Sequence, residues 1–213
     1  MILMLLSSLS LTPSQVGIFG YGSLLCRESL ELTLGRRYTG PCAVCKLDGW
    51  RRSWDVMMPN HLFYEPSDSG EFVPAHIIYL NVSASDGVAM NGVVYVLEMD
   101  ELEAFDRREW IYDRKRVTPA IRDLIVQSGD VYTYAAKPEW ILDASCTREW
   151  AAVRRSYLDI IDAGLKQLGP AFRKEFEAST DPVRWDLVFN DRKRSGTHPL
   201  LAELSHQKEI SSD

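Results

Sequence analysis

The chain has 213 residues, 46% of them hydrophobic and 25% charged, which suits one well-buried globular core and argues against disorder. A net charge of −6 and a pI of about 5.3 speak against nucleic acid or an anionic membrane as the main partner. No stretch approaches the roughly 18 uninterrupted apolar residues of a membrane-spanning helix.

The first residues, MILMLLSSLSLTPS, carry no Lys or Arg ahead of their apolar block and no small-residue cleavage site after it. Residues 1–14 are therefore expected to be a flexible leader, residues 15–192 a single domain, and residues 193–213 a polar tail. A strand is predicted over Gln15–Tyr21 and a helix over Arg27–Leu34, with a second strand from Ala43 to Trp54. Cys42 and Cys45 form a CxxC in strand-like surroundings, without a second cysteine pair or a His pair at zinc-site spacing. With Cys26 and Cys146 they read as structural thiols of a reducing, cytoplasmic compartment.

Pro59, Pro66, Gly70 and the Ser67–Asp68–Ser69 cluster predict a long loop over Met57–Glu71. Two further strands, Val73–Val82 and Asn91–Leu97, are rich in β-branched and aromatic residues. A helix over Asp100–Glu109 is expected, with Asp100 as N-cap and Glu103 at the capping-box position. Strands over Arg116–Val126 and Asp130–Ala136 are joined by the turn Ser128–Gly129–Asp130. Beyond Pro138 the pattern turns helical. Trp150, Val153, Tyr157, Ile160, Ile161 and Leu165 make one stripe along Thr147–Leu168, and a second helix covers Pro170–Ala178. The fold class is α+β, a mixed, barrel-like sheet with helices outside.

At the end of the first strand, Gly20-Tyr21-Gly22-Ser23 is an unusual strand ending. Two glycines permit positive φ and close approach of the backbone to a ligand, and successive N–H groups there favour a carboxylate or phosphate. The spacing fits neither a P-loop, nor a dinucleotide-binding turn, nor a G-x-S-x-G elbow. By itself the turn suits a structural corner as well as an anion cradle. His61, His76, His198 and His206 are scattered, so no metal site is expected.

Taken in order, several segments resemble the γ-glutamylcyclotransferase-like superfamily. Phe19-Gly20-Tyr21-Gly22-Ser23-Leu24 is similar to its YGS loop, and Gly49-Trp50-Arg51-Arg52-Ser53-Trp54 to its second-strand G-aromatic-x-R segment. Gly92-Val93-Val94-Tyr95-Val96-Leu97 resembles the strand before the catalytic helix, and Phe105 through Arg114 its L-D-x-x-E segment followed by Y-x-R. The stretch Tyr157–Gly164 is similar to the C-terminal helix of bacterial members. Two departures stand out: Phe105 replaces the usual Leu, and Trp110 occupies a position that is Gly in many members.

The resemblance implies an enzyme that closes the γ-glutamyl group of an amide or peptide to 5-oxoproline. This is transferase or lyase chemistry of the kind met in glutathione metabolism. The nucleophile is the substrate's own α-amine, so no cofactor is required. Glu109 is implied as the base and acid, its pKa raised by burial near Trp110 and Tyr112. Asp106, three residues earlier, better suits a cap or a salt bridge. The loop of Tyr21, Gly22, Ser23 and Leu24 would hold the glutamyl carboxylate or the developing oxyanion. Tyr112 would bind substrate or pack in the core; Arg114 would pair with the substrate carboxylate, with Glu109, or in a structural salt bridge. Glutathione, a γ-glutamyl dipeptide, a γ-glutamylamine and a biosynthetic intermediate all remain open as the small-molecule substrate. So do a binding member of the fold without turnover, amide cleavage by an external nucleophile, and the oligomeric state.

Overall fold

A computed structural model describes residues 6–60, 74–142 and 151–191. Its main sheet is curled into a mixed half-barrel, flanked by helices, as the patterning predicts. Strand β1 covers Ser8–Ser10 and β2 Gln15–Gly20; a 3₁₀ turn at Ser23–Leu25 leads into α1, Arg27–Leu34. Two long strands follow, β3 (Cys42–Pro59) and β4 (His76–Glu98), then α2 (Leu102–Arg108) and β5 (Tyr112–Arg116). Short strands β6 (Ile121–Arg122) and β7 (Ile125–Ser128) precede β8 (Val131–Ala136). The last elements are β9 (Ala151–Arg154), α3 (Arg155–Leu168), α4 (Pro170–Ala178) and β10 (Val188–Phe189).

The sheet runs in the order β10-β9-β4-β2-β8-β5, with β3 laid along β4 and β6 beside β3. Strand β2 is antiparallel to β4 but parallel to β8, and β8 is antiparallel to β5. Ile18 and Phe19 of β2 are essentially fully buried, as are Val93 and Val94 opposite on β4. Strand β2 is thus the centre of the core.

Several expectations are corrected. The leader is ordered from Ser8: β1 pairs in parallel with β7, and Leu9 and Leu11 enter the core. The two strands expected between Val73 and Leu97 are one 23-residue strand, and β3 runs through the start of the expected loop to Pro59. The apparent gap, Ser85-Asp86-Gly87-Val88-Ala89, is a mostly exposed tip opposite a register shift at Gly49 in β3, so it shows no hydrophobic alternation. The strand expected over Arg116–Val126 is broken by a Pro119-containing 3₁₀ turn and by Asp123 at φ 67°. Consequently Ser128–Gly129–Asp130 joins β7 to a β8 that pairs with β2 and β5, not a hairpin partner.

The start of this helical segment also differs. A 3₁₀ turn, Met99–Glu101, leads into α2 and carries the capping box, formed by Glu98 and Glu101 in place of Asp100 and Glu103, with the Glu98 N–H donating to Glu101 Oε2 at 3.0 Å. The helix expected from Thr147 begins at Arg155, because Ala151 and Ala152 are drawn into parallel pairing with His76 and Ile77 of β4. Val153 therefore belongs to a strand, while Tyr157, Ile161 and Leu165 form the buried stripe of α3. Cys42 and Cys45 are free thiols on β3. Cys146, Trp150, His61, His198, His206 and the polar tail lie outside the described residues. Among the described residues no helix is long and apolar enough to cross a membrane.

One glycine fixes how α3 meets the first turn. A Cβ on Gly164 would sit 2.5 Å from the Leu25 carbonyl carbon and 2.6 Å from the Cys26 nitrogen. These are backbone atoms and cannot rotate away. Gly164→Ala is expected to lower the unfolding free energy by about 1–3 kcal/mol, the usual cost of overpacking. A lower urea midpoint at unchanged slope would register this; an unchanged midpoint would show that the helix can withdraw from the turn.

Candidate active site

The site arises where β2 leaves the sheet. Strands β4 and β8 continue past Gly20 on either side, while the chain between them turns off through Tyr21 and Gly22 into the 3₁₀ turn. Side chains bridge the gap in place of the missing strand. Asn81 Oδ1 on β4 accepts the Ala136 N–H of β8 at 2.9 Å, and Thr133 Oγ1 donates to the Phe19 carbonyl at 3.0 Å. The Tyr21 hydroxyl donates to the Tyr134 carbonyl at 2.8 Å, and the Tyr112 hydroxyl to the Leu80 carbonyl at 2.9 Å.

What is left between them is a cavity of about 30 Å³, bordered by Phe19, Tyr21, Gly22, Ser23, Leu24, Leu80, Glu109, Tyr112, Tyr134 and Tyr157. In that volume one or two waters fit. Neither Gly20 nor Gly22 has positive φ. The glycines serve close approach instead: a Cβ on Gly20 would lie 2.8 Å from Leu24 Cβ, and one on Gly22 would lie 3.2 Å from the Tyr157 hydroxyl.

Glu109 ends α2, its N–H still donating to the Phe105 carbonyl at 2.8 Å, and its side chain, 16% exposed, faces the cavity. Burial pushes its carboxyl above the ordinary value, while the neighbouring Arg108 guanidinium pulls it down; burial prevails. Burial likewise raises the Tyr21 and Tyr112 phenols well above their usual range, so both stay protonated donors to backbone carbonyls.

Arg108 is the fixed point of the site. Its side chain is 4% exposed, and its Nε lies 3.2 Å from Glu109 Oε1. Nη2 donates to Ser23 Oγ at 2.7 Å and Ser29 Oγ at 2.9 Å. Nη1 donates to the Ser29 carbonyl at 3.2 Å and Thr33 Oγ1 at 2.5 Å. One guanidinium thus ties α1, the loop at Ser23 and the Glu109 carboxylate together.

Of the residues expected at the site, Tyr21, Gly22, Ser23, Leu24, Glu109 and Tyr112 converge on the cavity. Arg114 does not. Its Nη1 donates to both Asp106 carboxylate oxygens, at 2.9 and 3.1 Å, and Asp106 also accepts the Tyr134 hydroxyl at 2.7 Å. Strand β5 turns Arg114 away because it is two residues past Tyr112 on a strand that has already left the cavity wall. Arg51 pairs with Asp181 on the surface, and the buried Arg52 stacks on Phe176, so neither lines the cavity.

The sequence reading misses Phe19, Leu80, Tyr134, Tyr157 and the structural role of Arg108. Tyr157 carries a helix-stripe signal and Tyr134 a strand signal, both of which read as core. Arg108 appears in the sequence only as one of several charges near Glu109.

No family model matches the sequence, and no curated protein matches it. Among solved structures, an uncharacterised human protein superposes with a TM-score of 0.54 at 17% identity, over 90% of this chain and 98% of that one. A γ-glutamyl cyclotransferase superposes with a TM-score of 0.53 at 17% identity, over 91% of this chain and 99% of its own. The chain has the γ-glutamylcyclotransferase-like fold. Coverage of nearly the whole of both molecules means that the γ-glutamylcyclotransferase-like fold accounts for the curled sheet and the outer helices together.

The raised carboxyl has a consequence for stability. A group whose pKa is higher folded than unfolded stabilises the fold fully below its unfolded value, and that contribution is lost as pH rises through the folded value. Glu109→Gln is therefore expected to melt above the wild type at about pH 8, with the difference shrinking as the pH falls towards about 4. Thermal melts across that range test this; a variant less stable at every pH would mean that the Arg108 contact outweighs burial.

Proposed function

We propose that the protein converts a γ-glutamyl amide to 5-oxoproline and a free amine. The observation that carries this reading is a buried carboxyl of raised pKa, Glu109, lining one small cavity together with the turn from Tyr21 to Leu24, whose side chains give its leading N–H groups no cap. The resident chemistry matches the head of a glutamyl group. The substrate carboxylate has donors in the turn from Tyr21 to Leu24, whose leading N–H groups lack helical partners. The α-ammonium has acceptors in the Glu109 carboxylate and in the phenolic oxygens of Tyr21 and Tyr112, whose protons are already committed to carbonyls.

Glu109 takes a proton from the ammonium. The freed amine attacks the γ-carbonyl carbon and closes the five-membered ring, and the tetrahedral oxyanion is stabilised by the loop N–H groups. The bond to the leaving nitrogen then breaks as Glu109 returns its proton to it, and the freed carboxylate takes the remaining extra proton from the ring nitrogen and passes it to the released amine, so a single carboxyl serves as base, as acid and as base again. A raised pKa suits both halves of this cycle, because the carboxyl must accept and donate at neutral pH. Intramolecular attack supplies much of the rate once the chain is held folded, on the order of 7–11 kcal/mol in favourable cases.

Incubation with γ-glutamyl amides and peptides is expected to release 5-oxoproline, and Glu109→Gln to lower kcat by about 10²- to 10⁴-fold while leaving the fold intact. The acidic limb of the wild-type rate profile is expected above the ordinary Glu value of about 4.3. Free glutamate in place of the lactam would indicate attack by water, and normal turnover by the Gln variant would remove Glu109 from the mechanism.

A further inference from the structure

A larger cavity, of about 750 Å³, lies apart from the Glu109 site and shares no lining residue with the cavity there. Its volume falls in the range of sites that hold small organic molecules, roughly 300–1,000 Å³. It is bounded by the 3₁₀ turn at Leu25, the start of α1, the segment from Tyr38 to Cys42, one face of β4 and the end of α3 at Leu168. Cys42 and Tyr95 stand opposite each other on β3 and β4, and Val93 is two residues back on the same face. All three line the space. Tyr157 of the Glu109 cavity and Leu168 of this one sit near opposite ends of α3.

The Tyr95 hydroxyl distinguishes this space from a packing defect. The residue is 5% exposed, and its ring stands edge-on to Tyr38 at 5.5 Å. The Tyr38 hydroxyl donates to the Pro41 carbonyl at 2.6 Å and accepts the Val96 N–H at 2.9 Å. Among the described residues the Tyr95 hydroxyl has no hydrogen-bond partner. A buried hydroxyl left so is uncommon and costly, and the cavity is the side from which an acceptor can reach it. The charges at the margin are already matched. Arg27 donates from Nε to Glu31 at 2.7 Å and from Nη2 to the Tyr38 carbonyl. Glu28 Oε2 accepts from Gln167 at 2.6 Å and from the Cys26 thiol at 3.1 Å. Burial pushes the Cys42 thiol up, so it stays neutral. Leu25, Pro41, Val93 and Leu168 add apolar wall. An ionic ligand would be desolvated here beside charges committed elsewhere, whereas an apolar molecule with one acceptor would satisfy the hydroxyl.

We infer that this cavity is a second binding site, separate from Glu109, for a neutral and largely apolar small molecule whose one hydrogen-bond acceptor meets the Tyr95 hydroxyl. The inference does not rest on the cyclotransferase reading, and its test reads binding without turnover. The probe is prodan, a neutral naphthalene ketone. Its emission moves to shorter wavelength in apolar surroundings and back to longer wavelength when its carbonyl accepts a hydrogen bond. The full chain is expected to bind one prodan with a Kd of about 100 μM or tighter. Naphthalene-2-sulfonate, an anion, is expected not to displace it. Tyr95→Phe keeps the ring and removes only the hydroxyl. Without probe it is expected to melt no lower than the wild type, since no protein hydrogen bond is lost. Its affinity for prodan is expected to fall about three- to tenfold, and the bound emission to move to shorter wavelength. Cys42→Trp, which puts a ring into the cavity, is expected to abolish binding. Failure of the full chain to bind prodan, or full binding by Cys42→Trp, overturns the site. Displacement by the sulfonate, or unchanged affinity and emission in Tyr95→Phe, overturns the ligand chemistry assigned to it.

Discussion

A strand that stops between two neighbours that continue is the constraint on which the rest of this molecule depends. Strand β2 is paired on both sides through its core residues, then ends at Gly20 while β4 and β8 run on. Backbone groups along the gap lose their ladder partners, and buried polar groups left without partners are costly. Asn81, Tyr21, Tyr112 and Thr133 meet that demand with side-chain hydrogen bonds across the opening. The cavity is thus a break in the sheet held open by its own polar repairs.

The second organising element is Arg108. Of the four hydrogen bonds its guanidinium makes, α1 accepts three through Ser29 and Thr33. Those contacts fix the guanidinium, which then fixes Ser23 at the loop and faces Glu109 at 3.2 Å. Two opposed effects meet at the Glu109 carboxyl, namely burial among tyrosines and the nearby cation. Had the cation prevailed, the carboxyl would be a permanently ionised partner in a salt bridge, suited to structure and unsuited to accepting and returning a proton. Burial prevails because Tyr21, Tyr112, Tyr134 and Tyr157 crowd the cavity, whereas the cation's charge is divided among four other acceptors.

Much of the fold was legible because long, periodic segments announced it. Gln15–Gly20, the helix over Arg27–Leu34 and the helix over Pro170–Ala178 carry local signals strong enough to survive tertiary context. The errors have physical causes. Ala151–Arg154 reads as helix, since nothing local reveals that His76 and Ile77 will recruit it as a strand. The exposed tip of β4 reads as a loop because exposure erases alternation. At the site, Glu109 and the loop were legible through their order along the chain and their likeness to known motifs. The tyrosine lining was not, because an aromatic side chain facing a cavity has the same sequence signature as one facing the core. For Arg114 the salt bridge is the role that forms, with Asp106, and the substrate contact is the one the cavity does not support: alternation on a strand gives its face but not where the cavity wall ends.

These considerations also explain why shared architecture at 17% identity carries less about the substrate than about the fold. The gap beside β2 follows from the strand order, whereas the side chains that bridge it are particular to this sequence. What enters the cavity depends on side chains that topology does not prescribe, such as Met58, Trp110 and Ile111 beyond Glu109. The backbone N–H groups of the turn from Tyr21 to Leu24 persist whatever side chains are present, whereas the phenol oxygens of Tyr21 and Tyr112 do not. In the proposed reaction, only the backbone part of head recognition is therefore tied to the fold.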